Sequence, residues 1–400
     1  MKKNNNKKMI LAFSAVPYIM VLGNSMLIPE FPKIKSALSL SQFQVGLFIT
    51  VFSISAGIAI PFLGYLCDKI GRLKVIIPSL IIYGSGGIIS GLAAVFISSP
   101  YKIMLFGRAI QGIGAAGTAP IVMALIGDIF QSEKRTEVLG IIESANGIGK
   151  VSSPLLGSVI ALISWKALFF FYALLSFPIA AAVYFWGEEK KEQKQNGNYL
   201  KNIKNIIKEK GFSLIAAILS GMLVLFVLFG FLSFFSDFLK EEYNINGLKR
   251  GIIITIPILF MSLTSYLNGY ILKKINKYFK LVILIGISLT AFSLFILNYI
   301  DSLFYYVGIF TFSGIGAGLV LPAVNTLVTS STKSKQRGII TAIYGSARFT
   351  GVALGPPVFS LLKNMNLSFM YFGSSIISIL IFSITFIVLK EKEMKPSKKN

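Results

Sequence analysis

A few polar and ionisable side chains stand inside long apolar runs, and they limit what chemistry this chain can perform. Arg108 lies in Leu105-Phe-Gly-Arg-Ala-Ile-Gln-Gly-Ile-Gly-Ala-Ala116, with Gln111 one turn further on. Glu143, Asn146 and Lys150 fall within about 60° of one another on a helical wheel. Arg348 and Asn24 are likewise embedded in apolar sequence. A charge at depth in a bilayer costs about 3 kcal/mol or more, so such groups are paired or face water. An acid above a base suits proton exchange: Glu143 would take up a proton and release Lys150. The two basic residues Lys150 and Arg348 favour a solute with polar or negative character.

Bond-breaking chemistry is not expected. The chain has no His, the commonest general base and metal ligand. Its one Cys, Cys67, allows neither an internal disulfide nor a Cys-rich metal site. No G-x-x-x-x-G-K-[ST] loop is present to hold nucleotide phosphates. No enzymatic activity, metal or cofactor is expected.

These residues need a scaffold that carries polar groups across an apolar medium. Apolar residues make up 54% of the 400 and charged ones only 14%, with a mean hydropathy of +0.74. Soluble domains carry about a quarter charged residues. An all-α integral membrane protein follows, with twelve spans near 10–29, 42–66, 74–97, 102–129, 138–162, 165–186, 211–236, 250–272, 280–299, 303–328, 338–362 and 367–389. The runs lack the alternation of barrel strands. No cleavable signal peptide is expected, because the first apolar run is long and no small-residue cleavage site ends it.

The turn Gly64-Tyr-Leu-Cys-Asp-Lys-Ile-Gly-Arg-Leu-Lys74 sits between two of these runs. Its basic residues place it at the cytoplasmic face. Most of the 39 Lys and Arg residues fall in the tails and even-numbered connections, so both termini are expected in the cytoplasm. The net charge of +23 then reads as anchoring to anionic membrane lipids, not as nucleic-acid binding.

Two halves are expected, 1–187 and 211–400, joined by a cytoplasmic linker at 188–210. Within the linker, Tyr199, Leu200, Ile203, Ile206 and Ile207 alternate with Lys201, Lys204 and Lys208 at helical spacing. An amphipathic helix on the membrane surface fits that pattern; a linker without structure is the alternative. The halves repeat. Gly112, Ala115, Pro120, Arg135, Gly149 and Pro154 recur as Gly314, Ala317, Pro322, Arg337, Gly351 and Pro356, always 202 positions on. A parallel six-span repeat is a transporter architecture, with the site at the interface between halves.

With these residues in place, the chain resembles the major facilitator superfamily, and within it the twelve-span drug/proton antiporters. Gly64, Leu66, Asp68, Gly71, Arg72 and Lys74 match the family loop G-x-L-a-D-r-x-G-r-k. That resemblance implies a conformational latch at this turn, with Asp128 joining the charges around Arg72. The counterpart in the second half carries Lys273 where the acid would be, so the latch is expected in the first half alone. Arg108 matches the l-x-x-R-x-x-q-G pattern, whose Arg is implicated in proton coupling; a lipid phosphate partner is the alternative for it. Gly149, Pro154 and Gly157 match the antiporter motif g-x-x-x-G-P-x-x-G-G, although Ser153 and Ser158 stand where glycines are usual. Asn24 occupies the place in the first span where some relatives carry an acid. Glu30 is expected near the outer surface and Asp237 at the interface.

The resemblance implies the major facilitator fold around a central cavity, working as a monomer in the cell membrane. Its function would be export of a small organic, drug-like compound in exchange for protons. Coupling would run through Arg108, Glu143 and Asp68, and Asn24, Gln111, Asn146, Lys150 and Arg348 would line the cavity. A specialised exporter or flippase for an anionic metabolite, siderophore or glycolipid is the alternative. A membrane sensor that transports nothing is a third.

Overall fold

The structure is a computed structural model that describes residues 2–130, 132–189, 199–275, 277–331 and 337–394. Among them there are helices and no strands. In a bilayer a continuous helix satisfies its own backbone polar groups, which explains the choice.

The first half holds α1 (Lys2–Ser25), a 3-10 turn at Ile28–Glu30, α2 (Phe31–Leu38), α3 (Gln42–Ile70), α4 (Leu73–Phe96), α5 (Tyr101–Ala116), α6 (Ala119–Ile129), α7 (Ser132–Ile160) and α8 (Ala167–Trp186). The second holds α9 (Tyr199–Glu241), α10 (Gly247–Ile275), α11 (Phe279–Leu297), α12 (Leu303–Ser330), α13 (Arg337–Met365) and α14 (Leu367–Val388).

Local sequence sets the helix ends. Pro29 and Pro32 each enter a new helical piece at its first positions, where a missing N–H costs nothing. The first span therefore does not stop near residue 29 but runs on to Leu38. Ser41 and Gln44 form a reciprocal capping box that starts α3. Gly71, at φ 103°, ends α3 in a conformation that side-chain-bearing residues rarely adopt. The fourth span is expected to be continuous, but it breaks at Gly117 and Thr118, just before Pro120. In its repeat partner, Pro322 stays inside the unbroken α12. α9 changes direction at Gly211, with φ 31° and ψ −115°. The backbone of 199–210 is helical, while its side chains, and all of 190–198, lie outside the described residues.

Ten helical segments are long and apolar enough to cross a membrane among the described residues. The other two expected spans, α7 and α13, are each 29 residues long but more polar. They are repeat partners, and between them they hold Glu143, Asn146, Lys150 and Arg348.

The chain divides into two compact units. One comprises Met1–Asn196 with Ser236–Ile252, the other Gly197–Phe235 with Ile253–Asn400. The connection between α9 and α10 therefore groups with the first unit, not with the bulk of the helices it joins. In the first unit α4 packs on α5 and α8, and α1 on α7; in the second, α11 packs on α12 and α14. Gly114 brings α5 against the backbone of α4 at Ser79 and Tyr83, and its repeat partner Gly316 brings α12 against Gly286 of α11. Small residues at both seams let the backbones touch.

Candidate functional site

Arg108 is fully buried, with 0% of its surface exposed. Its Nε donates to the Phe48 carbonyl at 3.0 Å, one terminal nitrogen to the Gly23 carbonyl at 2.6 Å, and the other to Gln111 Oε1 at 2.6 Å. The guanidinium lies 4.4 Å from the Phe52 ring centroid and 5.8 Å from that of Tyr172. Tyr83 closes the cage, donating to the Ile19 carbonyl at 2.9 Å. Among the described residues no carboxylate pairs with Arg108, and it does not reach the lipid. Carbonyl dipoles and aromatic faces carry the charge instead. The effect is to tie α1, α3 and α5 together at one point.

Beside this cage, Asn24 Oδ1, Gln111 Nε2 and Ser53 Oγ are buried without a hydrogen-bond partner among the described residues. Buried polar atoms of this kind require an explanation. A polar solute or water reaching this part of the unit would supply partners.

On α7, Glu143 is exposed, Asn146 is buried and Lys150 is half-buried. Glu143 Oε1 accepts from Asn146 Nδ2 at 3.4 Å. Glu143 and Lys150 are seven residues apart, about 10.5 Å along the helix. The observed link is therefore from Glu143 to Asn146, with Lys150 a further turn along. Arg348 of α13 is half-buried, lies 5.7 Å from the Tyr344 ring and holds its Nε without a hydrogen-bond partner among the described residues. The Tyr344 hydroxyl is buried in the same state.

The glycine seam of α7 meets α1. A methyl at Gly149 would press on Val21 and Tyr18, and one at Gly157 would collide with the Met26 carbonyl. Tyr18 and Ser152 hydrogen-bond across the seam at 3.1 Å. In the second unit, Gly351 and Gly355 of α13 approach the Met222 and Phe226 carbonyls of α9 in the same way. Pro154 lies inside α7, one turn before Gly157.

At the opposite end of the helices from Glu30, Arg72 forms an ion pair with Asp128. Asp68 is exposed, 3.8 Å from the Cys67 sulfur, and Gly64 has open space where a side chain would be. Sequence reasoning missed Glu189. Its carboxylate accepts from the backbone N–H of Arg72 at 2.5 Å and of Leu73 at 3.2 Å, capping α4. The side chain of Lys273 lies outside the described residues.

Glu30 and Asp237 differ from expectation. Both are buried, at 0% and 1% exposure. Because the first span continues into α2, Glu30 turns inward at the junction instead of ending in water. It pairs with Lys33 at 3.1 Å and stands 3.8 Å from Arg250. Lys35 bridges Asp237 at 2.6 Å and Glu241 at 2.9 Å.

The profile of the Major Facilitator Superfamily matches residues 18–356 and 217–400. A protein of Bacillus subtilis (strain 168) named bacillibactin exporter is 41% identical over 397 residues, covering 97% of this chain and 98% of that one. Multidrug resistance protein 2 of the same organism is 25% identical, covering 98% of both. Among solved structures, a bacterial homologue of the human lysosomal transporter Spinster, inward-facing and unoccupied, superposes with a TM-score of 0.79 at 16% identity over 99% of both chains. A D-xylose–proton symporter gives 0.77 at 13% identity, over 98% of this chain and 99% of that one.

Proposed function

Because the chain belongs to the major facilitator superfamily, and is thus a multi-pass membrane transporter, we propose that it exports a siderophore or a similar polar, anionic metabolite in exchange for protons. One observation carries the choice of substrate: 41% identity, along nearly the whole of both chains, to a bacillibactin exporter. The basic side chains of Lys150 and Arg348, each on one of the two polar spans, support an anionic solute. Alternating access exposes the solute to one side of the membrane at a time, and the outward direction rests on the likeness to an exporter. Glu143, Arg108 and Asp68 couple it to protons. Asn24, Gln111, Asn146, Lys150 and Arg348 contact the solute. Gly64, Asp68, Gly71, Arg72 and Asp128 form a latch at the cytoplasmic end, and both termini lie in the cytoplasm. One chain contains both halves and works as a monomer.

The 25% identity to a multidrug resistance protein favours a second reading, export of drug-like cations. Inside-out vesicles energised with a proton gradient separate the two. Accumulation of bacillibactin that collapses with a protonophore, with no accumulation of a cationic dye, supports the first. Dye transport with no bacillibactin transport replaces it with the second.

A further inference from the structure

The turn before α11 keeps basic residues where its counterpart in the first unit has acids. Gly269–Lys277 follows the register of Gly64–Arg72, so Lys277 stands where Arg72 does and Lys273 where Asp68 does. Arg72 is paired with Asp128. The position 202 residues after Asp128 is Ser330, whose hydroxyl donates to the Leu327 carbonyl. Lys277 is exposed and, like Lys280, has no carboxylate at ion-pair distance among the described residues. Lys277 also lies directly before a membrane span that begins at Phe279. Cations placed so draw their counter-charge from the lipid.

The two lysines edge a cavity of about 420 Å³, lined by Lys277, Tyr278, Lys280, Leu281, Leu284 and Glu391. That volume is within the range of small-molecule sites. Lys280 is held in place. Its Nζ donates to the Phe386 carbonyl, at the end of α14, at 2.6 Å and lies 5.3 Å from the Phe386 ring centroid. An ammonium has further hydrogens to give. The helix start is not the attraction, because Glu391 already accepts from the Lys280 N–H at 2.6 Å. Two ammoniums against one carboxylate leave the cavity positive. Tyr278 is exposed beside them, and tyrosine rings settle at the level of lipid headgroups. Leu281 and Leu284 follow Lys280 on the same face of α11, the first exposed and the second buried. Charge thus gives way to hydrocarbon as the chain enters its span. A phospholipid has the same order, phosphate and then acyl chain. A free anion would leave the leucines unused, and a neutral apolar molecule the lysines.

We propose that this cavity binds an anionic phospholipid. Lys277 and Lys280 hold its phosphate, and Leu281 and Leu284 lie under its acyl chains. Every residue of the site belongs to the second compact unit, so the site is independent of the solute that is carried.

Native mass spectrometry of the delipidated full-length protein reads the affinity of single added lipids. Phosphatidylglycerol is expected to bind more tightly than phosphatidylcholine of the same chain length. Lys277→Gln should weaken phosphatidylglycerol by about fivefold, and the double variant with Lys280→Gln by about twenty-five-fold, as two independent basic contacts to an anionic lipid would. Phosphatidylcholine should be unaffected. Lys277→Arg, which keeps the charge, should bind as the unaltered chain does, and this a loss of folding would not permit. Lys102→Gln removes another exposed lysine, at the start of α5, and should change nothing. Equal affinity for the two lipids, or an unchanged affinity in the double variant, would overturn the site. So would an equal loss in Lys102→Gln, which would reduce the effect to overall charge. Displacement of phosphatidylglycerol by an equal concentration of inorganic phosphate would leave a simple anion site and overturn the lipid as its occupant.

Discussion

Glu189 and Glu391 stand 202 positions apart and perform the same task in their own units. Glu189, just after α8, accepts from the N–H groups of Arg72 and Leu73 at the start of α4. Glu391, just after α14, accepts from the N–H of Lys280 at 2.6 Å at the start of α11. Each carboxylate satisfies donors that a helix start leaves open and complements its positive end. Glu189→Ala should lower stability by about 0.5–1 kcal/mol, as loss of an exposed cap does. Glu189→Gln, which keeps an acceptor, should cost less. Thermal unfolding of the detergent-solubilised protein checks the order; equal losses would mean that charge alone matters.

Arg108 makes three hydrogen bonds, to α1, α3 and α5, from a planar fork that a lysine cannot reproduce. Arg108→Lys keeps the charge but leaves at least one buried acceptor open, at about 1–3 kcal/mol. Both Arg108→Lys and Arg108→Ala should lose proton-driven transport while still reaching the membrane. Normal transport by the lysine variant would reduce Arg108 to a point charge.

The sequence made the helices legible because apolar run length is a strong signal, and the 202-residue offset made the repeat legible. Arg108 could be picked out because an isolated charge in such a run has to be accounted for. Of its three partners only Gln111, one turn on, stood out, since the other two are backbone carbonyls, which no side-chain pattern encodes. That Glu30 and Asp237 are buried was hidden for a related reason. Their burial depends on the continuation of the first span into α2 and on partners some two hundred positions away. Glu189 was invisible because its partners are backbone N–H groups. The break in the fourth span was equally hidden, as Pro120 and Pro322 occupy equivalent positions with different outcomes.

The glycines of α7 and α13 differ sharply in their surroundings. A side chain at Gly157 would meet the carbonyl of Met26, just beyond α1, and one at Gly351 that of Met222 in α9, whereas Gly147 has nothing within 4 Å. Gly157→Ala and Gly351→Ala should therefore force the helices apart, costing about 1–3 kcal/mol as overpacking usually does. Gly147→Ala should be neutral or slightly stabilising, since Ala is the better helix former. Unfolding temperatures of the three variants test this, and a neutral Gly157→Ala would refute the close α1–α7 contact.

At the turn 64–74, Arg72 and Asp128 pair directly and Asp68 lies exposed beside Cys67. If the turn is a latch, Asp68→Asn and Asp128→Asn should slow turnover more than they weaken solute binding. Initial transport rates set against equilibrium binding separate the two effects. A binding defect with normal turnover would contradict the latch.

Glu143 is exposed on α7 and bonded to Asn146, with Lys150 a further turn along. A carboxylate open to water on a polar span can exchange protons without first being uncovered, and its charge is felt directly by the Asn146 amide that donates to it. Glu143→Gln keeps the shape and the acceptor for Asn146 but cannot ionise. Transport by this variant should persist down a solute gradient and lose its response to an imposed pH gradient. Asn146→Ala, which removes the donor to Glu143 and leaves the acid, should weaken that response without abolishing it. If Glu143→Gln kept a normal response to the pH gradient, the coupling acid would lie elsewhere, and the buried Glu30 would be the next residue to replace.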